Sequence, residues 1–84
     1  MILRNDRGSE YVCKLFDAVR SQISLVVDSD KKISNIVSDF EDVDNFSVFD
    51  TNIDSLKVYS GYRDFKTITK LDEGILVILE RSDA

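Results

Sequence analysis

The sequence of 84 residues contains no histidine and no proline, only three glycines and a single cysteine. Histidine is the commonest general base and metal ligand, so Ser-His-Asp and Cys-His catalytic arrangements are excluded. Three scattered glycines form no Gly-rich loop of the kind that binds phosphate. No spacing of carboxylates singles out an acid/base pair, and so small a domain has little room for a substrate cleft. We therefore expect no enzyme activity, no catalytic residue, no cofactor and no metal site.

The lone cysteine, Cys13, cannot form an intrachain disulfide, which favours a reducing compartment. We interpret Cys13 as a small buried hydrophobic residue; a reactive thiol is the alternative. The amino-terminal residues turn polar too early for a signal peptide, and the longest apolar run, 75–79, is too short to span a membrane. With 43% hydrophobic and 32% charged residues, the chain has the composition of a globular protein. We expect a single cytoplasmic domain over residues 1–84.

The net charge of −5 is concentrated in the middle third of the sequence. Residues 28–54 carry eight acidic residues and only two basic ones, Lys31 and Lys32. An acidic field disfavours direct binding to nucleic acid or to an anionic membrane, and it favours a basic protein surface. The alternative is that these acids only keep the protein soluble. Six of them follow one another with no basic residue between them: Asp39, Glu41, Asp42, Asp44, Asp50 and Asp54.

Two amphipathic patterns predict helices. Val12, Leu15, Phe16 and Val19 recur at helical spacing, with Ser9 as N-cap, and predict a first helix at about 9–22. A second stripe, which Asp30 or Ser29 would cap and the loop 41–45 would end, predicts another helix. Its apolar residues are Ile33, Ile36, Val37 and Phe40.

The remaining patterns predict strands at 23–27, 46–49 and 55–60, the last with Leu56 and Val58 on its buried face. Residues 65–71 fit either a strand or a helix, and the β-branched run Thr67-Ile68-Thr69 favours the strand. Residues 75–80 are apolar on both faces, which is typical of a central strand. The expected fold is α+β: a small antiparallel sheet of four to five strands with two helices packed on one face.

The segment 46–81 resembles small uncharacterised proteins of phages and mobile elements in Gram-positive bacteria. The residues that carry the resemblance are Phe46-Ser47-Val48, Tyr59-Ser60-Gly61-Tyr62, Phe65 with Ile68, and the run from Gly74 to Leu79. The resemblance implies a phage-encoded accessory protein, for which anti-defence inhibition of the anti-CRISPR type is one known role. It carries over no functional residues.

The leading functional hypothesis is an acidic inhibitor that binds a basic surface, such as the nucleic-acid site of a host defence protein. Its predicted binding residues are the six acids named above together with Phe49. One alternative is a homo-oligomer, for example a homodimer, that pairs through the apolar run 75–79 and binds a small anionic ligand with Arg63, Lys66 and Lys70. Another is an assembly component without a separable activity. Tyr11, Tyr59 and Tyr62 fit either an interface or the rim of the core.

Overall fold

The structure, a computed structural model, describes residues 1–82 as one sheet of seven strands and one helix. The strands are β1 (Ile2–Asn5), β2 (Glu10–Asp17), β3 (Gln22–Val27), β4 (Asn45–Asp50), β5 (Ser55–Ser60), β6 (Tyr62–Leu71) and β7 (Gly74–Arg81). Helix α1 (Ile33–Glu41) lies between β3 and β4 in the sequence. The order across the sheet is β5-β4-β1-β2-β3-β7-β6, and every neighbouring pair is antiparallel.

The sheet is strongly curled. Its two edge strands, β5 and β6, are consecutive in the chain, so the two opposite edges of the sheet must come together at one corner. β5 ends at Ser60 and β6 begins at Tyr62, so Gly61 alone joins one edge to the other. Gly61 has φ of +81°, a conformation that glycine adopts without strain. The backbone N–H of Ser82 donates to the Gly61 carbonyl at 2.9 Å, which ties this corner to the end of β7.

The core fills the concave inner face of the curled sheet, and α1 covers one part of it. The Phe40 ring contacts Tyr11, Phe46 and Phe65, with centroid distances between 5.4 and 6.2 Å. Ile36, one turn earlier on the helix, is also fully buried. The core residues of the strands are Leu3, Tyr11, Cys13, Ile23, Leu25, Val27, Phe46, Val48, Tyr62, Ile75, Val77 and Leu79.

The predicted α+β fold of four to five strands and two helices is wrong, because the described chain is predominantly β with a single short helix. The predicted helix at 9–22 is β2 and the turn that follows it. A register shift between Cys13 and Leu15 places an extra residue in the strand. The extra residue puts Val12 and Leu15, three positions apart, on the same outer face, which imitates a helical spacing. Phe16 points inward and Val19 lies exposed in the turn, so the predicted stripe is not one face of the structure.

Other elements agree with the sequence patterns. α1 is present, although Lys32 stands at its N-cap without a side-chain bond, so neither Ser29 nor Asp30 caps it. Residues 65–71 form part of strand β6, which confirms the strand interpretation. β7 pairs with β3 and β6, which confirms a central position and removes the basis for pairing between copies through residues 75–79. The strand β1 had no prediction, and residues 83 and 84 of the expected domain lie outside the described residues.

Candidate functional site

The first of the predicted binding residues, Asp39, belongs to the core. It lies on the inward side of α1 and is 7% exposed. Its Oδ2 accepts a hydrogen bond from the Tyr11 hydroxyl, and its Oδ1 lies 3.8 Å from Nη1 of Arg7. Burial, followed by the contact with Asp39, raises the pKa of Tyr11 well above its usual range. Asp39 therefore fixes the helix to the sheet and presents no free charge to a partner.

Asp42 and Asp44 are engaged by arginines of the same chain. Asp42 Oδ2 accepts a hydrogen bond from the Ser38 hydroxyl and lies 3.8 Å from Nη2 of Arg7. Asp44 Oδ1 accepts hydrogen bonds from Nη2 of Arg63 at 2.9 Å and from the backbone N–H of Gly61 at 3.2 Å. The second interaction stabilises the corner at which β5 passes into β6.

The other predicted binding residues are dispersed. Glu41 is exposed at the end of α1, whereas Asp50 and Asp54 flank the turn between β4 and β5. The six residues of β4 separate Asp44 from this turn by about 20 Å. The Asp50 carboxylate accepts a hydrogen bond from the Asn52 backbone N–H and so orders that turn. The structure does not bring the acidic residues together on one surface.

The alternative anionic-ligand residues are not assembled either. Arg63 bonds to Asp44, and Nζ of Lys66 lies 3.8 Å from Oε2 of Glu80. Lys70 is exposed near the other end of β6. Two of the three cations are therefore already compensated within the chain.

Phe49, the remaining predicted binding residue, lies on the outer face of the sheet in a continuous line of apolar residues. In the strand registers Leu56 is opposite Phe49, Phe49 opposite Ile2, and Ile2 opposite Val12. The line continues from Val12 to Val26 and from Val26 to Leu76. Directly paired residues share a face of a sheet, so these side chains form one stripe across six strands. We call it the outer apolar row: Leu56, Phe49, Ile2, Val12, Val26 and Leu76.

The outer apolar row is accessible to solvent. Leu56 is 64% exposed, Val12 47% and Ile2 40%, and the other three residues are half-buried. One part of the row forms the floor of a groove of about 420 Å³ that Arg4, Glu10 and Ser47 also line. Nε of Arg4 donates to Oε2 of Glu10 at 3.0 Å, so the two charges beside the groove neutralise each other.

Exposed acids border the row at one side. Asp28 directly follows the end of β3, two positions after Val26, and the turn residues Asp72 and Glu73 directly precede β7. All three are exposed, and within residues 1–82 none of these carboxylates makes an ion pair or a hydrogen bond. The surface thus combines an apolar centre with three unpaired carboxylates at its border, and Lys31, whose ammonium group lies over the Tyr11 ring, is the cation beside Asp28.

Local sequence patterns could not identify this row. The strand 55–60 was predicted with Leu56 and Val58 buried, but Tyr59 lies half-buried towards the core while Leu56 and Val58 face outward. The one useful signal was the run 75–80, where apolar residues on both faces left Leu76 and Ile78 on the outside. Membership of the row depends on the pairing register, which is a property of the folded sheet.

Cys13 and the tyrosines have structural positions. Cys13 is buried as predicted, and burial raises the pKa of its thiol. Tyr11 and Tyr62 belong to the core, whereas Tyr59 is half-buried with its ring centroid 4.4 Å from that of Phe16. Of the three tyrosines, only Tyr59 therefore lies at the rim of the core, and Tyr11 and Tyr62 are core residues.

Comparison with known proteins found no matching family model, no matching curated protein and no matching solved structure. These comparisons give no support to the phage or anti-CRISPR role that the resemblance over 46–81 implied, and we do not assign that role. Among residues 1–82, no three His, Cys, Asp or Glu side chains are grouped so that they could hold a metal ion. The one helix in this range is too short and too polar to cross a membrane.

Proposed function

We propose that this chain is a non-enzymatic protein-binding module whose binding surface is the outer apolar row. The observation that carries the proposal is the alignment of six apolar side chains across six adjacent strands on the solvent side of the sheet. Isolated exposed apolar residues are normal in proteins, but a contiguous apolar patch marks a contact surface. The buried Cys13 without a disulfide partner supports a cytoplasmic setting for the module.

The charges around the row specify the chemistry of the partner. Arg4 and Glu10 neutralise each other beside the groove, so an apolar surface can cover this part without leaving a charge unpaired. The carboxylates of Asp28, Asp72 and Glu73 are uncompensated at the border. We therefore expect a protein partner with an apolar contact surface and lysine or arginine side chains at one rim, which complementary charge would steer into place.

This proposal keeps the expected basic partner but moves the contact away from the segment 39–54. Asp39, Asp42 and Asp44 are held by groups of the same chain, so their charges are less available to a partner than those of Asp28, Asp72 and Glu73. A contact through the segment 39–54 would have to rely mainly on Glu41, Asp50 and Asp54. Binding through the outer apolar row and binding through the segment 39–54 should therefore respond differently to point substitutions.

The test is quantitative affinity capture from the source lysate, followed by binding measurements with the purified partner. Val12→Lys places a charge in the middle of the row, and Val19→Lys makes the same change at a 95%-exposed position in the turn after β2. A combined Asp28→Asn, Asp72→Asn, Glu73→Gln variant removes the charged border. A Glu41→Gln, Asp54→Asn variant reduces the charge of the predicted acidic segment.

We expect one partner protein to be captured equally by the original chain, by Val19→Lys and by the Glu41/Asp54 variant. Val12→Lys should fail to capture it. The border variant should associate more slowly, with a weaker dependence of the on-rate on salt. Capture that survives Val12→Lys but is lost with the Glu41/Asp54 variant would place the binding surface on the acidic segment and reject the outer apolar row.

A further inference from the structure

The two edges of the sheet differ in how they are protected against pairing with another strand. β6 carries two register shifts and four charged side chains, and α1 packs beside it. These are the features by which proteins block strand pairing at an edge. β5 has a regular register with β4, a single charge at Lys57, and two exposed aliphatic residues, Leu56 and Val58.

β5 also has unused hydrogen-bonding capacity. It pairs only with β4, and in an antiparallel strand alternate residues direct their backbone N–H and C=O groups to opposite sides. About half of the backbone groups of its six residues therefore point away from the sheet. Four of these six residues are exposed, so the edge is open to an added strand.

We propose that β5 pairs with β5 of a second copy of this chain to form an antiparallel, two-fold symmetric dimer. Self-pairing suits this edge because Lys57 is its only charged residue, so two acidic chains meet without acidic residues opposite each other. The inference concerns the edge of the sheet, whereas the proposed function concerns its outer face, and the two share one residue, Leu56.

Symmetry limits the register of the pair. A two-fold axis normal to the sheet keeps every side chain on its own face. Two directly opposed residues, i of one copy and j of the other, must therefore lie on the same face of β5, so the sum i + j is even. Only centres at residue 57 or residue 58 pair five residues of β5 from each copy. A centre at 57 places two lysines directly opposite, which is destabilising. A centre at 58 places Val58 opposite Val58 and Lys57 opposite Tyr59, where an ammonium group and an aromatic ring attract each other.

The register centred on Val58 has a geometric consequence. Directly opposed residues in an antiparallel pair have Cα atoms about 4.5 to 5.5 Å apart, which is within the range that a disulfide spans. In the same register the two Leu56 residues are offset by four positions, or about 14 Å along the strands. Both residues lie on the outer face and are similarly exposed, at 71% for Val58 and 64% for Leu56.

The experiment compares disulfide formation in Val58→Cys and Leu56→Cys under mild oxidation, with sedimentation equilibrium of the original chain. We expect a concentration-dependent dimer, rapid crosslinking of Val58→Cys, and slow crosslinking of Leu56→Cys. Val58→Lys, an exposed position where the fold should tolerate lysine, should raise the dimer dissociation constant at least about tenfold. Val12→Lys should leave it unchanged, so that a failure of this inference is distinguishable from a failure of the proposed function.

Three results would overturn the inference. The first is an original chain that remains monomeric at about 1 mM. The second is equal crosslinking rates for Val58→Cys and Leu56→Cys, which would show that contact between copies has no fixed register. The third is a dimer that Val58→Lys does not weaken, which would place the interface elsewhere.

Discussion

Replacing Tyr11 by phenylalanine removes the hydroxyl that donates to Asp39 and leaves the ring in place. The ring contact with Phe40, at 5.4 Å, and the position of Lys31 above the ring, at 4.1 Å, do not depend on the hydroxyl. The substitution therefore creates no large cavity. It isolates one hydrogen bond between a buried donor and a buried carboxylate.

The size of the effect follows from the charge and the burial of Asp39. Hydrogen bonds to charged groups contribute about 1.5–3 kcal/mol, and the carboxylate would remain buried with one partner fewer. Arg7 lies 3.8 Å away at the protein surface and compensates only in part. We expect the free energy of unfolding to fall by about 2 kcal/mol, which corresponds to a decrease in Tm of roughly 8–16 °C for a domain of this size.

Urea denaturation at neutral pH measures this change, with Tyr59→Phe as the matched control. Tyr59 is half-buried, and within residues 1–82 its hydroxyl makes no hydrogen bond, so the control should change stability by less than about 0.5 kcal/mol. In an Asp39→Asn background the Tyr11→Phe penalty should shrink towards the ~1 kcal/mol of a neutral hydrogen bond. A loss below about 0.5 kcal/mol for Tyr11→Phe alone would refute a stabilising role for the buried pair.

Two further predictions concern pH and the backbone. The pKa of Tyr11 is raised in the folded state, so the stability linked to its proton is complete below about pH 10 and falls above that value, because Tyr11 of the unfolded chain ionises first. Urea denaturation at a series of alkaline pH values should show that the free energy of unfolding falls less steeply with pH for Tyr11→Phe than for the original chain. Identical slopes would contradict this linkage. Gly74 has φ of +152°, and a Cβ there would lie 2.6 Å from the Val27 carbonyl oxygen, whereas a Cβ at Gly8 meets no atom within 4 Å. Gly74→Ala should therefore cost at least about 1 kcal/mol more than Gly8→Ala in thermal unfolding, and equal costs would show that the backbone at β7 adjusts freely.

The elements that could be predicted are those with an uninterrupted pattern. α1, β3, β4 and β7 follow from their own spacing, as the regular alternation around Leu25 and Val77 illustrates. β5 was predicted as a strand with the wrong face inward, and β6 was favoured by its β-branched residues despite two register shifts. β2 could not be predicted, because the register shift after Cys13 puts Val12 and Leu15, three residues apart, on the same outer face, a spacing that is also typical of a helix. β1 is four residues long and contains Arg4 and Asn5, so its pairing with β2 and β4 gives no local signal.

The candidate site was harder to predict than the fold, because it is assembled from residues far apart in the sequence. Ile2, Val12, Val26, Phe49 and Leu76 become neighbours only through the strand registers. Local charge density, by contrast, is visible in the sequence but does not show which carboxylates are already paired. Asp39 is the clearest example, because nothing in the sequence distinguishes this buried, hydrogen-bonded carboxylate from the exposed acidic residues that follow it.

The central claim, that the outer apolar row binds a partner protein, is tested most directly by calorimetric titration of that partner with the Val12→Lys and Val19→Lys variants. Both variants carry the same substitution at an exposed valine, and only Val12 belongs to the row. The proposal predicts that Val12→Lys weakens binding at least about tenfold, or 1.4 kcal/mol, while Val19→Lys leaves the affinity unchanged. Equal affinities for the two variants would contradict it.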